Sequence, residues 1–370
     1  MLAVICLGAG KAQQPFIQEI KASGLTLIVI DRDASAPLIK QADHFIHEST
    51  YHSKQVLKKI IELNLPITAL IARTSGPALD TAAVISHHFK LNQFDSQLVS
   101  ISTIKSELRL FCTSHNIKFP QGFKADHFLE AQKGLKAMPE HAIIKPDLPI
   151  VGKQNIFKLR TDALTEDIFT QTQASSYSGC VELEAFIEGF DVTCFFLLNH
   201  GAANIIHLWD ELVGTTHKGQ IQGLGVSIPS VIQNNTAIHA KIQCIIDTIA
   251  NEFNHLFAYL AISLRISLEG DITVIELHCD LTGDDIAEQL LPQAYGETYS
   301  FFTTITNSLI HKKMAPMPQN TLMPTLIFSQ KNNSLCIQKG SAKQNLQYLN
   351  NHINNTTQPS RHLHFLKTTT

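Results

Sequence analysis

Short apolar runs alternate with amphipathic stretches throughout the first hundred residues. The runs span residues 2–7, 25–30 and 67–72, and the stretches at 13–22, 53–63 and 76–89 repeat their apolar positions with a helical period. Strands that are apolar on both faces need cover on both, and helices that return the chain between them supply it. Residues 1–102 are therefore predicted to form an α/β domain built on a doubly wound parallel sheet. Ligands on such sheets sit at the carboxyl ends of the strands, here residues 8–11, 31–33 and 73–76.

The rhythm changes after a helical stretch at 103–115 and a turn through 116–121. Residues 142–145, 180–187 and 191–198 read as strands of an antiparallel kind, and 236–256 as a long helix. Residues 261–267 and 272–278 pair as a hairpin across the turn at 268–271. Another helix is expected at 284–293, and a small hairpin from 325–329 and 334–338. The organisation predicted is α/β followed by α+β, with a second domain over 103–314 and a small β-rich C-terminal appendage over 315–370.

Charge excludes some partners. Lys and Arg total 29 against 32 Asp and Glu, a formal net charge of −3, so there is no basic footprint for nucleic acid and no polybasic patch for a membrane. No apolar run reaches the roughly 18–20 residues that span a bilayer. The apolar start lacks a basic flank and runs into Gly8-Ala9-Gly10-Lys11, so it reads as a first strand and the protein as cytoplasmic. The 7 cysteines are scattered without a CxxC pair, which argues against a disulfide framework or a thiolate zinc site.

Four segments carry chemistry. Gly8-Ala9-Gly10 after a strand is half of a dinucleotide fingerprint, with Gln13 where the third glycine belongs and Asp31 about twenty residues on. It reads better as a tight strand-to-helix turn whose amides can face a carboxylate or phosphate. Ala142-Ile143-Ile144-Lys145-Pro146 ends an apolar strand in a lysine, and Gly152-Lys153 follows in a loop. A lysine point charge and loop amides suit a triphosphate, and a strand end with a solvated lysine explains the same residues. Glu182, Glu184 and Glu188 punctuate 181–191 at even spacing, as on one face of a half-exposed strand. Glu276, His278, Asp280 and Asp284 close the series, offering oxygen ligands for magnesium or an acidic helix start.

In this order and at these separations, together with Lys105 in the linker helix, the segments resemble the ATP-grasp superfamily of carboxylate–amine and carboxylate–thiol ligases over residues 1–310. The nearest flavour is the amino-acid ligases with a carbamoyl-phosphate-synthase-like ATP domain. The resemblance implies a two-lobed ATP-grasp domain, ATP with Mg²⁺ or Mn²⁺, small carboxylate and amine substrates, and a homodimer. It implies Lys105 and Lys145 as phosphate-contacting lysines and the loop with Gly152 and Lys153 as the flap over the phosphates. Glu184, Ala185, Phe186 and Ile187 match the hinge that holds adenine through backbone groups, with Glu188 or Asp191 near the ribose. Arg265 matches an arginine that steadies the transferred phosphate, and Glu276 with His278 the metal site.

The chain also departs from the family pattern. His278 stands where the family has an Asn ligand, and Asp280 where it has an Arg. The second acidic ligand, about a dozen residues before the Glu, is missing, since Ser263, Leu264 and Arg265 occupy that stretch; Asp280 or Asp284 are the substitutes. His278 suits manganese better than magnesium by hardness. The implied activity is ADP-forming carbon–nitrogen ligation through an acyl phosphate. The competing expectations are an ATP-binding regulatory pseudoenzyme that kept the cleft but lost turnover, and a Rossmann dehydrogenase. Trp209 reads as core or as a substrate-stacking ring, and Asp210 and Glu211 as a solvated acidic pair or an amine-recognising one.

Overall fold

A computed structural model describes residues 2–150, 154–216, 218–283, 285–296, 299–316, 325–329, 335–339 and 344–345. Its first sheet is parallel and built as the alternation requires. The elements are β1 (Ala3–Leu7), α1 (Gln14–Ala22), β2 (Thr26–Asp31), β3 (His44–His47), α2 (Ser53–Glu62), β4 (Ile67–Ile71) and α3 (Ala78–His88). Strand order is β3-β2-β1-β4, with every β1 residue buried because both faces are covered. The edge strand β3 is the one the apolar pattern misses: His44 and His47 interrupt it, and only Ile46 is buried.

The helix predicted at 103–115 forms over 105–114, and a separate helix precedes it. Helix α4 (Ser96–Thr103) is capped by the Asp95 side chain, and Ile104 is extended. Helix α5 (Lys105–Ser114) then starts afresh, and its cap comes from a distant strand end. The Lys105 N–H donates to the Asp147 carbonyl at 3.0 Å, and the Ser106 N–H to Asp147 Oδ1 at 2.9 Å. This capping satisfies two helix-start amides and fixes Lys105 relative to Lys145, two residues before Asp147.

A small antiparallel sheet follows: β5 (Gly122–Ala125), α6 (Phe128–Leu135), β6 (His141–Pro146), β7 (Phe157–Arg160), α7 (Glu166–Ala174) and β8 (Val181–Ala185), in the order β5-β8-β6-β7. Helices α6 and α7 cover one face, packing Ala131, Leu135 and Phe169 on Ile144 and Leu183. Strand periodicity turns Lys145, Glu182 and Glu184 to the opposite face.

The largest sheet contains β9 (Phe190–Asn199), β10 (Ala202–Thr215), β11 (Ile221–Ile228), then α8 (Thr236–Glu252), β12 (Phe257–Ile266) and β13 (Ile272–His278). A π-helical turn (Ile286–Leu290), α9 (Leu291–Tyr295), α10 (Phe301–His311), β14 (Thr325–Ser329) and β15 (Leu335–Lys339) complete it, in the order β13-β12-β9-β10-β11-β14-β15. The isoleucines of α8 (Ile238, Ile242, Ile246, Ile249) pack with Val192, Cys194, Leu260 and Leu264 in one buried cluster that also takes in β1. The predicted hairpin of residues 272–278 against β12 forms, with Ser263 opposite Glu276. So does the C-terminal hairpin, and its strand β14 pairs with β11, so it extends the large sheet. The helix expected at 284–293 is the π-helical turn and the short α9. Among the described residues no helix is long and apolar enough to cross a membrane.

Candidate functional site

The small and large sheets face one another across a cleft. On the small sheet, the buried Lys145 ammonium lies 2.8 Å from Glu184. Burial works against that charge, but Glu184, Glu276 and Glu182 keep the Lys145 pKa above the ordinary lysine value. Glu182, on the same sheet face, is fully buried and takes Arg109 of α5 at 2.6 Å. Burial pushes its carboxyl up to about 7, opposed by the Arg109 bond.

On the large sheet, cross-strand register builds the opposite wall. Glu276 of β13 lies opposite Ser263 of β12, Ser263 opposite Thr193 of β9, and Thr193 opposite Trp209 of β10. Two residues along, Arg265, Asp191 and Glu211 form a second row. The Thr193 hydroxyl donates to Glu211 at 2.6 Å and sits 3.4 Å from Ser263 Oγ. These residues alternate with the apolar ones that α8 covers, so one face carries the core and the other the site.

The two walls meet at Glu276, whose carboxylate is 2.9 Å from Lys105 and 3.4 Å from His278 Nε2. Burial would raise that carboxyl, but Lys105, His278 and Lys145 hold it well below the usual carboxylate range. Two adjoining cavities open here, and both are lined by Ile156, Thr193, Glu211 and Glu276. The first holds Lys145, Ile143, Phe186, Ile187, Val213 and Ile221, an apolar slot beside a lysine. The second extends past Lys105 and His278 to Ser75 and Gly76 of the first domain.

Three expected roles need correction. Arg265, expected to steady the transferred phosphate, is already engaged by the protein. Its guanidinium is bidentate on Asp191, at 2.6 and 2.8 Å, and donates to the Ile187 carbonyl at 3.0 Å. It braces the end of the slot, against the Phe186 ring. Glu184 is not a hinge residue acting through its backbone alone, because its side chain neutralises Lys145. Within the hinge, the Ala185 and Phe186 N–H groups are bonded to the carbonyls of Gln121 and His141, so they are not offered to a ligand. The turn after β1 is likewise closed on itself. The Ala9 N–H donates to Asp31 at 2.7 Å and the Gly10 N–H to Gln13 at 3.1 Å, so these amides do not face a phosphate.

The structure brings together Lys105, Lys145, Glu184, Phe186, Ile187, Asp191, Arg265, Glu276 and His278 around one cleft. Gly152, Lys153 and Asp284 lie outside the described residues. The sequence pattern does not single out Arg109, Asp147, Thr193 or Lys158, whose ammonium lies 3.5 Å from the Phe186 ring centre. Glu211 and Trp209 are legible in it only as alternatives, because the register shift between Ile205 and His207 breaks the alternation that would mark β10 as a strand.

Among the described residues no group of three His, Cys, Asp or Glu side chains is spaced to hold a metal ion. The oxygens that line the cleft with Glu276 are nevertheless hard donors, from Ser263, Thr193 and Glu211. Magnesium is commonly held by one or two carboxylates with substrate phosphates and water completing its shell, and this set fits that arrangement.

No family model and no curated protein matches the sequence. Solved structures do match the fold. The N5-carboxyaminoimidazole synthetase of Staphylococcus aureus, complexed with ADP, aligns over 94% of this chain and 84% of its own at 13% identity, TM-score 0.68. The L-amino acid ligase of Bacillus licheniformis aligns over 89% and 79% at 13% identity, TM-score 0.66. The biotin carboxylase domain dimer of the Hydrogenobacter thermophilus 2-oxoglutarate carboxylase, with MgADP, ADP and bicarbonate, aligns over 88% and 74% at 12% identity, TM-score 0.68. The chain has the fold of the ATP-grasp carboxylate–amine ligases.

Proposed function

We propose that the chain is an ATP-dependent carboxylate–amine ligase that forms an acyl phosphate and releases ADP and phosphate. The observation that carries this reading is the convergence of Lys105 and Lys145, from a linker helix and a strand of the small sheet, on Glu276 of the large sheet. ADP and MgADP in the matching structures agree with it.

A carboxylate is a poor electrophile, and its direct displacement would expel oxide. Transfer of the γ-phosphoryl group onto it supplies a phosphate leaving group, but it gathers several negative charges in one place. Lys105 and Lys145 would stabilise that charge, and they are held before the reaction starts, which is what makes such stabilisation effective. Glu276, with Glu211 and the hydroxyls of Ser263 and Thr193, would hold magnesium, which supplies Lewis-acid neutralisation of the phosphate oxygens. The slot of Ile143, Phe186, Ile187, Val213 and Ile221 would take the adenine ring, and Asp191, fixed by Arg265, the ribose. Residues 151–155 would close over the phosphates and keep water from the acyl phosphate. The same reading carries domains at 1–102, 103–314 and 315–370, a homodimer and a cytoplasmic location.

One observation favours a second reading, a nucleotide-binding regulator without turnover: a serine, Ser263, stands opposite Glu276 where the family resemblance puts a second carboxylate. ADP release measured over pools of carboxylates and amines, with Mg²⁺ and with Mn²⁺, separates the two. Release that requires both substrates supports the ligase. Nucleotide binding with no release in any pool supports the regulator.

A further inference from the structure

A groove outside the cleft runs between α5 and the segment that joins it to β5. It is lined by Arg109 and Thr113 of the helix and by residues 116–122, and Pro120 lines both this groove and the apolar slot. No carboxylate is among these lining residues, although the chain carries a formal net charge of −3. The cations are Arg109 and Lys118. Arg109 donates from Nε to Glu182 at 2.6 Å, and its two Nη groups have no protein partner among the described residues. Lys118 meets Asp271 at 3.2 Å, with the two side chains 58% and 62% exposed. An ion pair that open to water is worth little, so Lys118 can exchange it for another anion.

A second, independent feature is the backbone along the groove. Three of its carbonyls are taken. The Arg109 carbonyl accepts from the Thr113 hydroxyl at 2.8 Å, that of Lys118 from the Val274 N–H at 2.9 Å, and that of Gln121 from the Ala185 N–H at 2.8 Å. The N–H groups of Lys118, Phe119 and Gln121 have no partner among the described residues, and neither do the side-chain amides of Asn116 and Gln121. Asn116 holds a left-handed φ of +55° where the chain leaves the helix and turns into this segment. The groove has therefore spent acceptors and kept donors, the inventory that suits an oxyanion.

We propose that this groove binds a small oxyanion, a phosphate or carboxylate group, on the Arg109 guanidinium and the Lys118 ammonium. The free amides of Lys118, Phe119 and Gln121 supply further donors. A guanidinium presents its N–H groups in a fixed fork, so Nε stays on Glu182 while the Nη groups take the ligand oxygens. Glu182 lies opposite Lys145 across β8 and β6, so Arg109 and Glu182 link the bound anion to the cleft. The site is separate from the nucleotide cleft and does not depend on the ligase reading.

The test is titration calorimetry on the full chain at low ionic strength, where exposed charges are least screened, with inorganic phosphate and with succinate as probes. The cleft has phosphate lysines of its own, so each titration is repeated with AMP-PNP and Mg²⁺ present and in the Lys145→Met/Glu184→Gln variant. At least one probe is expected to bind in all three settings, phosphate alone assigning the site to phosphate groups and succinate alone to carboxylates. Arg109→Lys, which keeps a charge and loses the fork, should weaken binding roughly tenfold. Lys118→Gln, at an exposed position, should weaken it several-fold at an unchanged melting temperature, while Lys54→Gln, exposed on α2 of the first domain, leaves it unaltered. No binding of either probe, binding that AMP-PNP or the cleft variant abolishes, or binding indifferent to Lys118→Gln or to a folded Arg109→Lys overturns the inference. Should AMP-PNP itself not bind, the ligase reading fails, and the Arg109 and Lys118 variants still decide this one.

Discussion

Lys105 opens a helix and Glu276 lies near the end of a strand 171 positions later, yet their charged groups meet at 2.9 Å. The pair sits where the two cavities join. Its carboxylate is the hard ligand the proposed metal would use. Glu276→Gln keeps the shape and removes the charge. Metal-dependent ADP release should fall to background while the chain still binds ATP, and a coupled ADP assay beside nucleotide titration checks both. Unchanged release would move the metal site elsewhere.

Lys145 serves both stability and chemistry, and the two can be separated. Breaking a buried ion pair by removing one partner costs roughly 3–5 kcal/mol, so Lys145→Met should lower the melting temperature and cut ATP turnover by about 100-fold or more, the scale of a lost transition-state charge partner. Adding Glu184→Gln removes the stranded carboxylate. The double variant should recover much of the melting temperature and none of the turnover. Recovered turnover would show that Lys145 is structural.

Arg265 acts through Asp191. Truncating a charged hydrogen-bonding group costs about 1.5–3 kcal/mol. Arg265→Ala should therefore raise KM for ATP roughly tenfold or more, with kcat less affected. Steady-state kinetics decide, and a loss confined to kcat would restore the phosphate-contacting role that the geometry argues against.

Gly189 joins the hinge to β9 at a φ of +154°, and a Cβ there would lie 2.4 Å from the Ile266 carbonyl oxygen. Gly189→Ala must push two backbones apart. A stability loss of at least about 1–3 kcal/mol is expected from the strained backbone alone, read as a fall in melting temperature. A neutral substitution would mean the crossing is looser than this contact allows.

His207 is buried between the hydroxyls of Tyr295 and Tyr299, at 3.2 and 2.9 Å. Burial pushes its pKa down from 6.5 to about 3. Between those values the unfolded chain binds a proton that the folded chain does not, so this contribution to stability is present above pH 6.5 and is lost as pH falls toward 3. The melting temperature should drop on going from about pH 7.5 to about pH 5, and His207→Gln should flatten that drop. Equal slopes in the two proteins would contradict the assignment.

Local pattern was enough for β1, β2 and β4 of the first sheet and for the β12–β13 hairpin, because apolar continuity and alternation report burial directly. It marked Lys145 and Glu276 by their places at strand ends, and the family resemblance added Lys105. It missed β3, where histidines break the apolar run, and β10, where a bulge shifts the alternation. Those misses hid Glu211 and Trp209 as neighbours of Thr193.

Sequence by itself determined the elements whose apolar pattern is unbroken and which face of each is apolar, since periodicity is a property of a few consecutive residues. Only the tertiary structure decided what the polar faces do. Arg265 is spent on Asp191, Glu184 on Lys145, and the amides after β1 on Asp31 and Gln13. Such pairings depend on strand register and on contacts between residues far apart in the chain. The desolvation that makes them obligatory exists only once the sheets have closed on each other.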